Sequence, residues 1–214
     1  MPNFQDVSKK TYIGLIAIHC PICNVLNHID NMTWYSSDNW VLDRTIIKPH
    51  TNILSLFEDG DITYYSPEKN IIWEPQCSLN STIIRTSSED GNIALFRSLS
   101  QLEDCFMIRL QEKENVFFTF WGKKNNSKDQ RVIQYISNDT KNEFYQEGVL
   151  LNFENPLYYE RKKKKDRINK DIIVEYMSYL GWYISEDTFW VSNRDSYLDI
   201  RTFPVAIDLQ SDTL

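Results

Sequence analysis

Between residues 11 and 136 the apolar residues come in short runs separated by polar turns, a punctuation that predicts successive β-strands. The clearest unit runs from Asn52 to Phe57, through Glu58-Asp59-Gly60-Asp61, to Ile62–Tyr65. Asp-Gly there supplies the positive-φ turn of a tight hairpin. Thr82 to Thr86 leads to a second turn at Asp90-Gly91. Ile93 to Leu102 then places apolar residues at 95, 96, 99 and 102, which fits a strand and loop but leans towards a helix face. Cys105 to Leu110, Val116 to Trp121 and Arg131 to Ile136 follow, joined by polar bends. Strands linked this way pair antiparallel with their sequence neighbours. The expected fold class is therefore mainly β (β-rich α+β), an antiparallel meander forming a sandwich or partly open barrel.

The pattern changes after Ile136. Residues 137–168 show no sustained period and read as a connection. Ile168, Ile172, Ile173, Tyr176, Met177 and Leu180 then recur at helical spacing, with Asn169 placed to cap the start and Gly181 to end it. This amphipathic helix needs something to pack on, most simply the sheet. Trp182-Tyr183-Ile184 and Phe189-Trp190-Val191 read as two further strands, with Tyr197–Ile200 and Phe203–Ile207 as candidates after them. The simplest organisation is a single domain over 1–214, with a meander at 11–136, the connection at 137–168, and a helix plus strands at 169–214.

Composition sharpens this picture in two ways. Aromatic residues make up 14% of the chain, with six Trp, twelve Tyr and eleven Phe, which suits broad sheet surfaces. The net charge is −7, whereas phosphate-backbone binding calls for an excess of Lys and Arg, so nucleic acid is not the expected main ligand. The apolar run Tyr12 to Ile18 is seven residues long, far short of the roughly 20 that a membrane-spanning helix needs. Lys9 and Lys10 before it and Cys20 after it suggest a short signal, but His19 stands where a small residue belongs. The cytoplasm is the expected location, and four cysteines in a chain this size fit reduced thiols.

Soft-ligand chemistry is concentrated at His19-Cys20-Pro21-Ile22-Cys23 and His28. A thiolate pair two residues apart forms the knuckle that grips zinc, and Cys20, Cys23 and His28 could supply three of four ligands. No second knuckle exists to complete the signature. An apolar strand running into Cys-Pro-x-Cys and an amphipathic segment also resembles the opening of the thioredoxin and glutaredoxin family, which implies a thiol acidified at a helix N-terminus. The resemblance covers about a dozen residues; that fold continues with a parallel βαβ unit, and hairpin signals follow here instead. The alternative to both is that the thiols are small core residues.

All three histidines lie in the first fifty residues, and with Asp30 and Asp43 they could supply a base and its orienter. The sequence has no H-E-x-x-H, no G-x-S-x-G and no glycine-rich phosphate loop, so the usual grounds for proposing an enzyme are missing. No cofactor is expected other than the zinc alternative.

Two charged constellations remain. Arg161, Lys162, Lys163, Lys164, Lys165, Arg167 and Lys170, against the single acid Asp166, give +6 locally and leave −13 on the rest of the chain. Such a run reads as a solvated loop or as a footprint for nucleic acid or a membrane surface. The acids instead gather at turns: Glu58, Asp59 and Asp61 at one, Glu89 and Asp90 at another, and Asp38 between Trp34-Tyr35 and Trp40. Aromatics beside carboxylates can form a protein-binding face, where rings anchor and charges steer a basic partner. The functional expectation is a non-catalytic protein-binding protein. An inhibitor or immunity-type protein that neutralises a basic toxin or nuclease fits its size and acidity. Zinc-site and basic-run readings stand as alternatives.

Overall fold

A run of six residues buried on both sides sets the centre of the molecule. In the computed structural model, which describes residues 4–5, 12–35, 40–56, 67–112, 115–125 and 127–202, this run is β1 (Ile13–Ile18). It is followed by α1 (Ile22–Asp30), β2 (Val41–Ile47), β3 (Glu68–Trp73), β4 (Thr82–Thr86) and α2 (Ile93–Leu99). β5 (Cys105–Gln111), β6 (Val116–Lys123), β7 (Gln130–Ser137), β8 (Asn142–Glu147), α3 (Lys170–Tyr179) and β9 (Ser196–Thr202) complete the order. The nine strands form one open antiparallel sheet in the order β2-β9-β3-β4-β1-β5-β6-β7-β8. The protein is thus mainly β, with its C-terminal helix packed on the sheet.

Side chains alternate between the two faces of a strand, so each face carries its own core. On one face Ile71, Leu15, Ile108, Phe120 and Ile133 lie in one row across six strands, with buried Arg85 of β4 between the first two. Over them lie Ile172, Ile173, Tyr176 and Met177 of α3, with the Tyr176 ring edge-on to Phe120 at 5.5 Å. On the other face Ile72, Ile84, Ile16 and Met107 form the matching row, covered by Ile22, Val25 and Ile29 of α1 and Leu95, Phe96 and Leu99 of α2. A strand with a core on either side must be apolar throughout, which is why β1 is an unbroken run. The layers that sandwich the sheet are helices and irregular chain.

α3 ends as the sequence predicts. Asn169 accepts a hydrogen bond from the Ile172 amide at 3.0 Å, and at the other end Gly181 has φ +83°. Trp182 N donates to Met177 O at 2.8 Å and Gly181 N to Ser178 O at 3.0 Å, the paired bonds that satisfy the last carbonyls of a helix.

Four expectations are corrected. The part of the Asn52–Phe57 arm that is described, residues 52–56, is not a strand: Ile53–Leu56 is a 3-10 helix, started by the Asn52 carboxamide accepting from Leu54 N at 2.9 Å, and Phe57 lies outside the described residues. The turn and second arm, 58–65, lie outside the described residues as well, as does Phe203–Ile207. Trp182–Ile184 and Phe189–Val191 are not strands either; Asp187–Trp190 is a 3-10 helix. Adjacent Phe189 and Trp190 are both fully buried because this segment lies over the sheet as cover, with Trp190 Nε1 bonded to Ile184 O and Trp73 Nε1 to Phe189 O, each at 2.8 Å. The supposed connection contains β8, a strand at the sheet's end whose side chains are exposed except for half-buried Phe144. Finally, the meander holds only from β5 to β8. β9 enters between β2 and β3, so the C-terminal portion completes the same sheet.

Candidate functional site

A dense group of charged and aromatic side chains sits where β2, β9 and β3 meet, beneath the chain that follows α1. Tyr197, Asp199 and Arg201 alternate along β9 and share one face. Arg201, 3% exposed, donates from Nη1 to Glu68 Oε2 at 2.8 Å and from Nε to Tyr35 O at 3.1 Å. Its guanidinium lies 4.2 Å from the Tyr35 ring centre, 4.5 Å from Trp40 and 5.6 Å from Trp34. Three rings around one cation is a favourable quadrupole arrangement. The buried carboxylate of Asp199 accepts from Arg44 Nε at 2.7 Å, Arg44 Nη2 at 2.9 Å and the Tyr35 hydroxyl at 3.2 Å. Arg44 Nη1 reaches out to Asp30 at 2.8 Å.

The network continues towards the acidic turn. Glu68 Oε1 accepts from Asn70 Nδ2 at 2.9 Å and from the Asn92 carboxamide. Asn92, at φ +58°, caps α2 by accepting from Leu95 N and donates its own amide to Asp90 Oδ1 at 2.7 Å. Trp34, Tyr35 and Trp40 are thereby linked through Arg201, Glu68 and Asn92 to Asp90. The structure brings together two clusters that are about fifty residues apart in sequence. Glu89 and Asp90 are exposed, Trp34 is 38% exposed and the Asp30 side chain 52% exposed. Tyr35 is fully buried, so it supports this surface from beneath and offers none of its own. Asp38, Glu58, Asp59 and Asp61 lie outside the described residues.

Inside the cluster the charges cancel in pairs, Arg201 with Glu68 and Arg44 with Asp199. Burial, reinforced by Asp199, pushes the Tyr35 phenol well above its ordinary pKa, and the hydrogen bonds that Arg44 donates to Asp199 raise that of Arg44. Both groups are thus locked in their usual protonation states. The arrangement stiffens a surface rather than poising an acid or a base. Of its inner members, Arg44, Glu68, Asn70, Asn92, Asp199 and Arg201 carry no motif spacing; their one sequence signal is Tyr-x-Asp-x-Arg in β9, charges at strand period.

The thiols are arranged differently. Cys20 is buried, its carbonyl accepts from Thr82 Oγ1 at 2.7 Å, and burial raises its thiol pKa, the reverse of an acidified redox thiol. Cys23 is exposed on α1, and His28 Nε2 pairs with Ser98 Oγ at 3.1 Å. Cys20, Cys23, Cys77 and Cys105 are all free. Among the described residues no group of three or more His, Cys, Asp or Glu is placed to hold a metal ion. No described helix is long and apolar enough to cross a membrane.

His19 stacks on Trp182 with ring centres 4.4 Å apart, and its Nδ1 lies 3.0 Å from Ser81 Oγ. Burial lowers its pKa, against the opposing hydrogen bond to the Leu180 carbonyl. A histidine lowered in the folded state binds fewer protons folded than unfolded. Its stabilisation is fully present above about pH 6.5 and is drawn down as pH falls below that value. We expect the urea midpoint to drop between about pH 7.5 and 5.5, and to drop less in His19→Gln. Equal pH slopes in the two proteins would contradict the assignment.

The basic run is folded. Lys164–Asp166 forms a 3-10 helix, Arg167 Nε donates to Arg161 O at 2.8 Å, and Arg161 Nη1 donates to Asp166 O at 2.7 Å. Arg161 covers the Tyr158 ring at 4.2 Å and Arg167 the Phe144 ring at 5.3 Å. Lys162 projects from this segment into solvent. Compared with family models, curated proteins and solved structures, the chain matches none.

Proposed function

We propose that this is a non-catalytic binding protein whose acidic and aromatic surface around Trp34, Glu89 and Asp90 engages a basic protein, as an inhibitor or immunity-type partner does. The observation that carries this reading is the convergence of the tryptophan cluster and the Glu89-Asp90 turn at one end of a sheet face, on a base of paired charges. A partly exposed indole linked through Arg201, Glu68 and Asn92 to a turn of exposed carboxylates combines an anchor with electrostatic steering. The paired charges beneath keep it in one geometry, so little ordering entropy is lost on binding.

The test uses the tagged protein as bait in lysate of the cells that make it, beside a Glu89→Lys/Asp90→Lys variant. Both carboxylates are exposed, so the variant should fold, as circular dichroism will confirm. One basic partner should be captured by the parent, and its affinity should fall at least about tenfold in the variant, equivalent to about 1.4 kcal/mol. Capture unchanged by the double reversal, an acidic partner, or no partner would overturn the reading.

A further inference from the structure

The two arginines of the basic run and Lys164 are spent on holding it in place, while Lys163 and Lys165 are not. Lys163, Lys164 and Lys165 line a surface pocket of about 510 Å³ together with Tyr135 of β7 and Asn142 of β8. Lys164 Nζ donates to the Asn142 carbonyl at 2.8 Å, which ties the segment to the end strand of the sheet. Among the described residues Lys163 and Lys165 make no ion pair and no side-chain hydrogen bond. The acids of β8 do not neutralise them. Phe144 and Asn142 share the face on which Phe144 packs into the core, so Glu143 and Glu147 project from the opposite face.

We propose that this pocket binds a compact anion carrying adjacent phosphate groups. Three lysines border one concavity, so an anion seated there is within reach of three ammonium groups and gains several charge-assisted hydrogen bonds. Lysine suits such a ligand because its ammonium acts as a point charge that can turn towards any phosphate oxygen. The volume lies within the range of about 300–1,000 Å³ typical of small-ligand sites. A long polyanion is disfavoured on two counts. The remainder of the chain carries −13 and repels an extended strand or an anionic bilayer, and among the described residues Tyr135 is the one aromatic side chain lining the pocket, which gives no succession of rings for bases.

The experiment is titration calorimetry of the full chain with pyrophosphate at low ionic strength, repeated with orthophosphate and with Lys163→Gln/Lys165→Gln. Lys164 is left intact so that the segment stays docked. Pyrophosphate should bind more tightly than orthophosphate, weaken at least about tenfold in the double variant, and be unaffected by Lys128→Gln in the β6–β7 turn. Absence of pyrophosphate binding, or binding that survives the double substitution, would overturn the proposal. The same proteins are then offered a short single-stranded oligonucleotide and equimolar phosphatidylcholine–phosphatidylserine vesicles. If either binds more tightly than pyrophosphate and depends on Lys163 and Lys165, the pocket belongs to an extended polyanion or a membrane surface, and the compact-anion assignment fails.

Discussion

Glu154→Gln is expected to remove about 3–5 kcal/mol of stability, the cost of leaving one partner of a buried ion pair alone. Arg131 and Glu154 are 3% and 0% exposed in their side chains and meet at 2.7 Å. Glu154 also accepts from Leu151 N at 2.9 Å and from the Tyr159 hydroxyl at 2.5 Å, and Tyr159 lies 2.8 Å from the hydroxyl of Tyr176 on α3. The carboxylate therefore joins β7, the 148–155 loop and the C-terminal helix. Burial holds the Tyr176 phenol up at about 12 and raises Tyr159 as well, helped there by Glu154, so both remain neutral donors at physiological pH. Glutamine keeps the shape but leaves the buried guanidinium without its counter-charge, its other acceptors being the neutral Glu147 and Gly148 carbonyls and the Gln146 carboxamide. Domains are stable by about 5–15 kcal/mol, so the loss is a large share of the whole. Urea denaturation reads it directly. A paired replacement, Arg131→Met with Glu154→Leu, should recover most of the loss, because removing both charges also removes their desolvation cost. A single variant within about 1 kcal/mol of the parent, or a pair no better than the single, would contradict this account.

The second large effect is expected at Gly148, where alanine is excluded twice. Its φ is +87°, and a Cβ there would lie 1.9 Å from the carbonyl oxygen of Gln130, a backbone atom in the neighbouring strand. The left-handed conformation alone costs about 1–2 kcal/mol in an L-residue. The overlap adds about 1–3 kcal/mol because strand backbone must shift to relieve it. Gly181 is the control. It has a similar φ of +83° but nothing within 4 Å of the added carbon. Gly181→Ala should therefore lose only the conformational part, and Gly148→Ala clearly more. Matching denaturation midpoints for the two variants would show that the close approach at Gln130 is unimportant.

What could be read from the sequence follows from how local each signal is. β5, β6 and β7 are separated by polar bends and pair in sequence order, so composition and spacing suffice. α3 is legible because its period, its Asn169 cap and its Gly181 stop all lie within a dozen residues. Ile53-Leu54 and Phe189-Trp190 mislead because adjacent buried residues look like strand, whereas here they are short 3-10 turns laid over a sheet face. β8 is invisible because a strand at the sheet's end, half-buried at one side chain, has no apolar alternation to detect. The site divides in the same way. Trp34, Trp40, Glu89 and Asp90 stand out locally, but their meeting depends on Arg201, Glu68 and Asn92, which come from three separated elements. Only the sheet order brings those together.

That order also governs when the fold can be completed. Among the described strands β2 pairs with β9 alone, so Val41–Ile47 has no partner among them until Ser196–Thr202 has been synthesised. A ribosome makes about 5–20 residues per second, so β2 waits several seconds or more while β1, β4 and β5 can already pair. Its exposed Val41 and Ile46 are then available to other chains, and closure of the sheet must bring together residues 149 to 161 positions apart, a slow kind of contact. Aggregation during synthesis is the characteristic hazard of this topology, and a chain cut short within β9 would carry it permanently.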